Sequence, residues 1–170
     1  TTLSSEFVDA IYEMTLNYKD LALNPAKEVK TGEFIVDHTA PAADSMQVTY
    51  STPLTERIIS AITFGYYNPS VEVTFTAKDV TSGVDYFMWS YLKEDGTSDS
   101  NVASYPDAKL VAAQDANDKS KFTASVTLPK TTAEQLRGNI AFTATDKYSN
   151  VSNKLTDEGH VIVVDTIAPT

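Results

Sequence analysis

Apolar and polar residues alternate over much of this chain, the mark of a strand with one buried face. Val71, Val73, Phe75 and Ala77 fall on one side while Glu72, Thr74 and Thr76 fall on the other. Phe122, Ala124, Val126 and Leu128 alternate with Thr123, Ser125 and Thr127, and Pro129 ends that run. Met46, Val48 and Tyr50 make a first inward face; Ile140, Phe142 and Ala144 make a late one. Residues 86–92 are apolar on both faces and hold the only tryptophan, Trp89, which predicts a central strand. Residues 161–164 predict the last strand and residues 110–113 a short edge strand. Turns are expected at Asn68-Pro69, 79–83, Glu94-Asp95-Gly96 and 115–120, a polar loop over 97–107, and a helical turn over 131–137. Residues 58–67 fit a helical and an alternating spacing equally well. No helical run of ~10 residues separates the strands, which argues against a parallel α/β sheet. The expected fold is all-β, an antiparallel sandwich of about seven strands.

The first 37 residues repeat the end of this pattern. Asp20 to Asn24 is followed by the apolar run Phe34-Ile35-Val36-Asp37, then His38-Thr39-Ala40-Pro41. Asp146 to Asn150 is followed by Val161-Ile162-Val163-Val164-Asp165, then Thr166-Ile167-Ala168-Pro169. The offset is 126 between Asp20 and Asp146 and 128 between Asp37 and Asp165, so the second copy has two extra residues between turn and strand. Residues 7–16 fit a helical stripe, but Tyr12, Met14, Leu16 and Tyr18 also alternate. Aligned on the repeat, Met14, Leu16 and Tyr18 match Ile140, Phe142 and Ala144, so a turn or helical piece is expected near 4–10 and a strand near 12–19. Such a recurrence marks a tandem array. The expected organisation is a C-terminal fragment of a preceding module over 1–37, an extended linker over 38–45 stiffened by Pro41, a complete module over 46–165, and the start of another linker over 166–170. Both ends fall within a motif, as in a piece cut from a longer chain.

Composition narrows the function classes. A net charge of −10 and a pI near 4.5 argue against nucleic acid and against anionic membrane surfaces as partners. No stretch approaches the ~18 apolar residues of a membrane span. There is no cysteine, hence no disulfide framework and no thiolate site. Six glycines include no phosphate-cradling loop. His38 and His160 stand apart from any Ser-Asp pattern, and no catalytic residue is assigned.

Three motifs carry a family likeness: Thr76-Ala-Lys-Asp79-Val-Thr-Ser-Gly83-Val84, Ala144-Thr-Asp146-Lys-Tyr-Ser-Asn150, and the Asp-x-x-Ala-Pro boundary. Together they resemble the bacterial Ig-like repeats of large secreted and cell-wall-anchored surface proteins. Members of that family usually have Ala-Gly-Asn in the Asp turn; this chain has Tyr148-Ser149-Asn150 and Ala22-Leu23-Asn24, with Asn as the residue expected to tolerate φ > 0. The resemblance implies an extracellular module at a bacterial cell surface or wall, partnered by neighbouring Ig-like modules of the same chain and without membrane insertion.

In an Ig-type sandwich the chain enters at the end bearing the B–C and F–G loops. Asp79 ends the second strand and Asp146 the penultimate one, and the incoming linker brings Asp37 and His38 to that end. Asp37, Asp79 and Asp146 are therefore the candidate ligands of a calcium ion at the module junction, a cation that takes six to eight oxygens. Resemblance to calcium-rigidified adhesin repeats points the same way. The competing reading is that these carboxylates cap Asx-turns. The stretch from Asp115 to Val126 lacks the glycine and the final acid of an EF-hand. Trp89 with Phe87 and Tyr91 reads as core rather than a sugar platform; Tyr66-Tyr67 is the better candidate for an exposed aromatic patch, with ordinary packing as the competing reading. Lys19, Lys78 and Lys121 are the lysines placed for an intramolecular Lys–Asn isopeptide bond. The function expected is a non-catalytic spacer. The alternatives are a module that binds a host protein or glycan and an accessory domain of a secreted carbohydrate-active enzyme.

Overall fold

The structure is a computed structural model, and it describes residues 7–51, 66–67, 70–93, 108–129 and 136–164. The described residues are all-β apart from one 3-10 turn. The chain divides into two compact units, Thr1–Thr39 and Ala40–Thr170.

The first unit is a ribbon. Strand β1 (Ala10–Tyr12) pairs antiparallel with β4 (Phe34–Val36), and β2 (Thr15–Leu16) pairs with β3 (Val29–Lys30). The single strand expected near 12–19 thus starts earlier, at Ala10, and breaks between Tyr12 and Thr15. The break comes from a change of partner. Met14 N–H donates to the Thr31 hydroxyl and the Met14 carbonyl accepts from Thr31 N–H, both at 2.9 Å, which hands the chain from β4 to β3. Tyr12 holds the other end, stacked on Phe34 at 5.7 Å and edge-on to Phe7 at 5.3 Å.

The second unit opens with a 3-10 turn at Ala43–Ser45, so the expected extended linker ends in a tight turn that plants Met46 in the core. Strand β5 (Gln47–Ser51) then pairs with β7 (Val71–Lys78), which pairs with β11 (Lys121–Leu128), which pairs with β10 (Ala113–Gln114). The second sheet runs β6 (Tyr66–Tyr67), β14 (Ile162–Val164), β12 (Leu136–Asp146), β8 (Val84–Lys93), β9 (Ala108–Val111), with β13 (Leu155–Thr156) also on β12. All pairs are antiparallel except β6 with β14.

The two sheets share one core, a sandwich-like arrangement. Val71, Val73, Phe75, Ala77, Phe122 and Leu128 of the first meet Phe87, Trp89, Ile140, Phe142, Ala144 and Ile162 of the second. Phe75 is the hub, with its ring 5.0 Å from Phe142, 6.0 Å from Trp89 and 6.1 Å from Phe87. Full burial of each such side chain is worth about 1.5–3 kcal/mol. Strand β8 lies between β12 and β9, and Trp89 is 1% exposed, so the central-strand and core readings hold.

Three local expectations are corrected. The edge strand expected over 110–113 is divided: β9 ends at Val111 in one sheet and β10 begins at Ala113 in the other, with Ala112 N–H bonded to the Asp85 carbonyl at the crossing. Leu136 and Arg137, expected in a helical turn, already belong to β12, where Leu136 pairs with Val164 and Arg137 with Val163. Strand β13 was not expected, because Leu155-Thr156 is too short to show an alternation. Of the turn or helical piece expected near 4–10, residues 7–9 bend without forming a helix and Ala10 already opens β1. Most of the ambiguous run 58–67, the turns at Asn68-Pro69 and 94–96, the loop 97–107 and the linker start at 166–170 lie outside the described residues.

Candidate functional site

The candidate site is the end of the second unit where β7 and β12 finish. Lys78 closes β7 with its N–H on the Ser45 hydroxyl (2.8 Å) and its carbonyl on Ala42 N–H (3.0 Å). The polypeptide therefore enters this unit beside the end of β7. Asp79 follows, its N–H on the Ser120 carbonyl at 2.9 Å. Its Oδ1 accepts three backbone N–H bonds, from Thr81 and Ser82 at 3.0 Å and Gly83 at 2.8 Å. The turn closes only because Gly83 takes φ +81°, with the Phe122 ring packed where a side chain would stand.

Asp146 ends β12 at an irregularity in its pairing with β8. Its Oδ1 accepts from Tyr148 N–H and Asn150 N–H, each at 2.8 Å, and its Oδ2 accepts from the Asn150 side-chain amide at 2.7 Å. Asp146 N–H reaches the Asn150 carbonyl (3.1 Å) and Ser149 N–H the Asp146 carbonyl (3.3 Å). The residue at positive φ is Ser149 (70°), not Asn150, so the left-handed position falls one residue before the asparagine. The two turns are joined by a bond from Lys147 N–H to the Gly83 carbonyl, 3.2 Å.

Both carboxylates are buried, Asp79 at 7% and Asp146 at 2% exposure, and a carboxylate oxygen of one lies within 4.8 Å of one of the other. The Asx-turn reading is thus realised at both residues. The same geometry leaves two anionic groups close together in a partly dry site. Lys78 does not neutralise them: its ammonium bonds Asp118 Oδ2 at 2.7 Å. That bond, with further bonds from the Ser120 hydroxyl and N–H, pulls the Asp118 carboxyl down to about 2.

Asp37 belongs to the first unit, just past β4, where it is buried and its Oδ1 accepts from Thr39 N–H at 3.1 Å. The neighbouring residues are held by Asp9. His38 N–H and Nδ1 lie 2.9 and 3.0 Å from Asp9 Oδ1, and the Thr39 hydroxyl donates to Asp9 Oδ2. The Thr39 hydroxyl, ahead of the His38 bonds, holds the Asp9 carboxyl below the usual carboxylate range.

Other sequence candidates fall out plainly. Asp115 and Asp118 cap successive turns: Asp115 Oδ1 takes Asn117 and Asp118 N–H, and Asp118 Oδ1 takes the Ser120 N–H and hydroxyl. Lys121 pairs with Asp115 at 3.7 Å, as Lys78 does with Asp118, so both lysines face carboxylates. Lys19 bridges to Pro25 through its backbone. Phe87, Trp89 and Tyr91 are buried, leaving no platform for a sugar there. Tyr66 and Tyr67 form β6; their side chains lie outside the described residues.

A second polar cluster was missed. Tyr50 OH donates to Asp157 Oδ2 at 2.8 Å, His160 Nδ1 lies 3.0 Å from both Asp157 oxygens, and the Asn139 amide donates to the Asp157 and His160 carbonyls. It occupies the connection that is longer in the second copy of the repeat. That length difference was the available signal.

No protein-family model matches this chain, and no curated protein matches it.

Proposed function

We propose that this chain is a non-catalytic Ig-like spacer segment of a bacterial cell-surface protein, an extracellular stalk built from successive similar modules that projects or supports functional domains. What supports the reading best is that the two units share one bonding pattern, offset by 126 residues and by 128 at the last strand. Adding 126 to the β2–β3 pairs Thr15–Lys30 and Leu16–Val29 gives the β12–β13 pairs Ala141–Thr156 and Phe142–Leu155. The Met14–Thr31 backbone bond becomes Ile140–Asp157, and the Tyr18–Ala26 bond becomes Ala144–Ser152. The β1–β4 pairs become the β12–β14 pairs, with the last strand shifted by 128. The two extra residues therefore lie between Asp157 and Ile162. Repetition of one supersecondary unit along a chain is what module duplication leaves.

A host-cell test is direct. Replacing residues 40–165 in the natural protein with an unrelated sandwich of similar length should preserve surface display and adhesion. Loss of a specific binding activity on that swap, or reproducible hits of the isolated chain on a glycan array, would sink the spacer reading and favour a ligand-binding module.

A second reading, a calcium ion at the Asp turns, is favoured by the proximity of the two buried carboxylates Asp79 and Asp146. Two such charges repel unless donors or a cation balance them, and calcium accepts carboxylate and carbonyl oxygens in variable geometry. A rise in melting temperature with millimolar calcium, reversed by EGTA and absent in Asp79→Asn, supports it. Asp37→Asn tests the third carboxylate separately. An unchanged melting temperature ends it.

A further inference from the structure

Met14, Leu16 and Tyr18 lie on one face of the first unit and are 53%, 59% and 56% exposed. Their partners in the repeat, Ile140, Phe142 and Ala144, are 0–1% exposed. The backbone pairing on one edge is the same in both, so the difference lies in what covers the rest. In the second unit two things do. Strand β8 pairs along the free edge of β12, with Ile140 opposite Tyr91, Phe142 opposite Trp89 and Ala144 opposite Phe87. The other sheet covers the face, with Phe75 against Phe142. Among the described residues of the first unit, β1 and β2 have partners on one edge only.

We propose that the Met14–Leu16–Tyr18 face is a docking surface for a strand set of the second unit's architecture: an antiparallel edge strand in the position of β8, and a facing apolar sheet in the position of β5, β7 and β11. This deepens the spacer reading and rests on it for the source of those strands, which we assign to the natural polypeptide upstream of residue 1. By the repeat, about 100 residues are needed, the counterpart of residues 40–135.

Side-chain sizes decide against a second copy of this chain as the occupant. Tyr12 corresponds to Gly138, and Gly138 is backed so closely by the Leu92 carbonyl that even a Cβ would collide with it. A tyrosine there cannot take the place of Gly138 against a copy of β8. Tyr18 likewise stands where the fully buried Ala144 stands, and overfilling such a position costs stability. Leu16 in place of Phe142 would leave a gap under Phe75. The cognate strands must instead offer room opposite Tyr12 and Tyr18 and more bulk opposite Leu16. They share the architecture but not the side chains.

The test compares the 170-residue chain with the same chain extended by the natural ~100 upstream residues, using hydrogen peroxide as the probe and peptide mapping as the readout. Met14 should oxidise like an exposed methionine in the short chain and at least tenfold more slowly in the extended one, while buried Met46 stays slow in both. Amide exchange over residues 14–19 should slow in parallel, and Leu16→Glu should restore rapid exchange in the extended chain. Equal Met14 oxidation in the two chains overturns the proposal. So does a short chain that dimerises with Met14 protected, which would make a second copy the occupant. A glycan-array hit with Met14 protected removes the spacer reading and leaves the docking surface standing.

Discussion

Leu23 and Ser149 stand 126 positions apart and hold the same left-handed backbone, φ 69° and 70°. Each sits between an Asp that caps the turn and an Asn that closes it, and each gives its N–H to that Asp's carbonyl, at 2.9 and 3.3 Å. The turn imposes this conformation whatever the side chain. For an L-residue it costs about 1–2 kcal/mol, part of which glycine recovers after its larger entropy loss. Ser149→Gly should stabilise the second unit by about 0.5–1 kcal/mol in urea unfolding, with an unchanged m-value. Leu23→Gly should slow amide exchange at Asn24 and Ala26. A destabilised Ser149→Gly would mean that the serine makes a compensating contact.

The glycines give a graded prediction. Gly32 has nothing within 4 Å of an added Cβ, so Gly32→Ala should be neutral or slightly stabilising. Gly83 combines φ +81° with the Phe122 Cζ at 2.5 Å from the new Cβ, so Gly83→Ala should cost about 2–4 kcal/mol. Gly138→Ala drives its Cβ into backbone, the Leu92 carbonyl, and would break the register of β12 on β8. It should abolish the cooperative transition of the second unit. Thermal melts of the three variants check the order.

Asp146 and Asp20 make the same turn with opposite burial. Asp20 Oδ1 and Oδ2 accept the Asn24 N–H and side-chain amide at 2.9 Å, in the open. Asp146 makes the equivalent bonds at 2% exposure. Water can replace the carboxylate of Asp20 but not that of Asp146. Asp146→Ala should therefore cost about 1–3 kcal/mol, with Asp146→Asn milder because one oxygen acceptor remains. Asp20→Ala should move the main transition far less. Equal losses would show that capping, rather than burial, sets the energy.

How far the sequence carried the argument depends on the kind of signal. Strands β7, β11 and β12 were legible because one face of each meets the core, so alternation was written at every second residue. β13 and the β9–β10 division were not, since two residues carry no period and a change of sheet at Ala112 leaves no mark in hydropathy. The convergence of Asp79 and Asp146 followed from topology alone. Their bonding did not, because Asx-turn caps and cation ligands call for the same residue type. Assigning positive φ to Asn rather than to Ser149 and Leu23 followed residue preference where the turn geometry was decisive. The Tyr50–Asp157–His160 cluster joins residues 107 positions apart, and only the two-residue length difference hinted at it.

Acid should unfold this protein through its turn carboxylates, with Lys78–Asp118 the clearest case. The Lys78 ammonium and the Ser120 hydroxyl and N–H hold Asp118 at about 2, against about 3.9 for an unfolded aspartate. A carboxyl whose pKa falls on folding binds fewer protons in the native state than in the unfolded one. Its contribution is therefore complete above about pH 4 and is lost as pH falls from 4 towards 2. Asp9, Asp20 and Asp115 are lowered too by their own hydrogen bonds, so their contributions are also lost on acidification. The Lys78→Met variant should raise the Asp118 carboxyl towards its ordinary value. It should also lower the melting temperature slightly at pH 6, where the contribution is complete, and converge on the unsubstituted chain by pH 2, so that the fall between pH 4 and pH 2 is flatter; the loss at pH 6 is small because the pair is surface-exposed. Carboxylate chemical shifts followed by NMR through the same range check the cause. An Asp118 resonance that titrates near pH 4 in both proteins would show that the bond to Lys78 is too transient to matter.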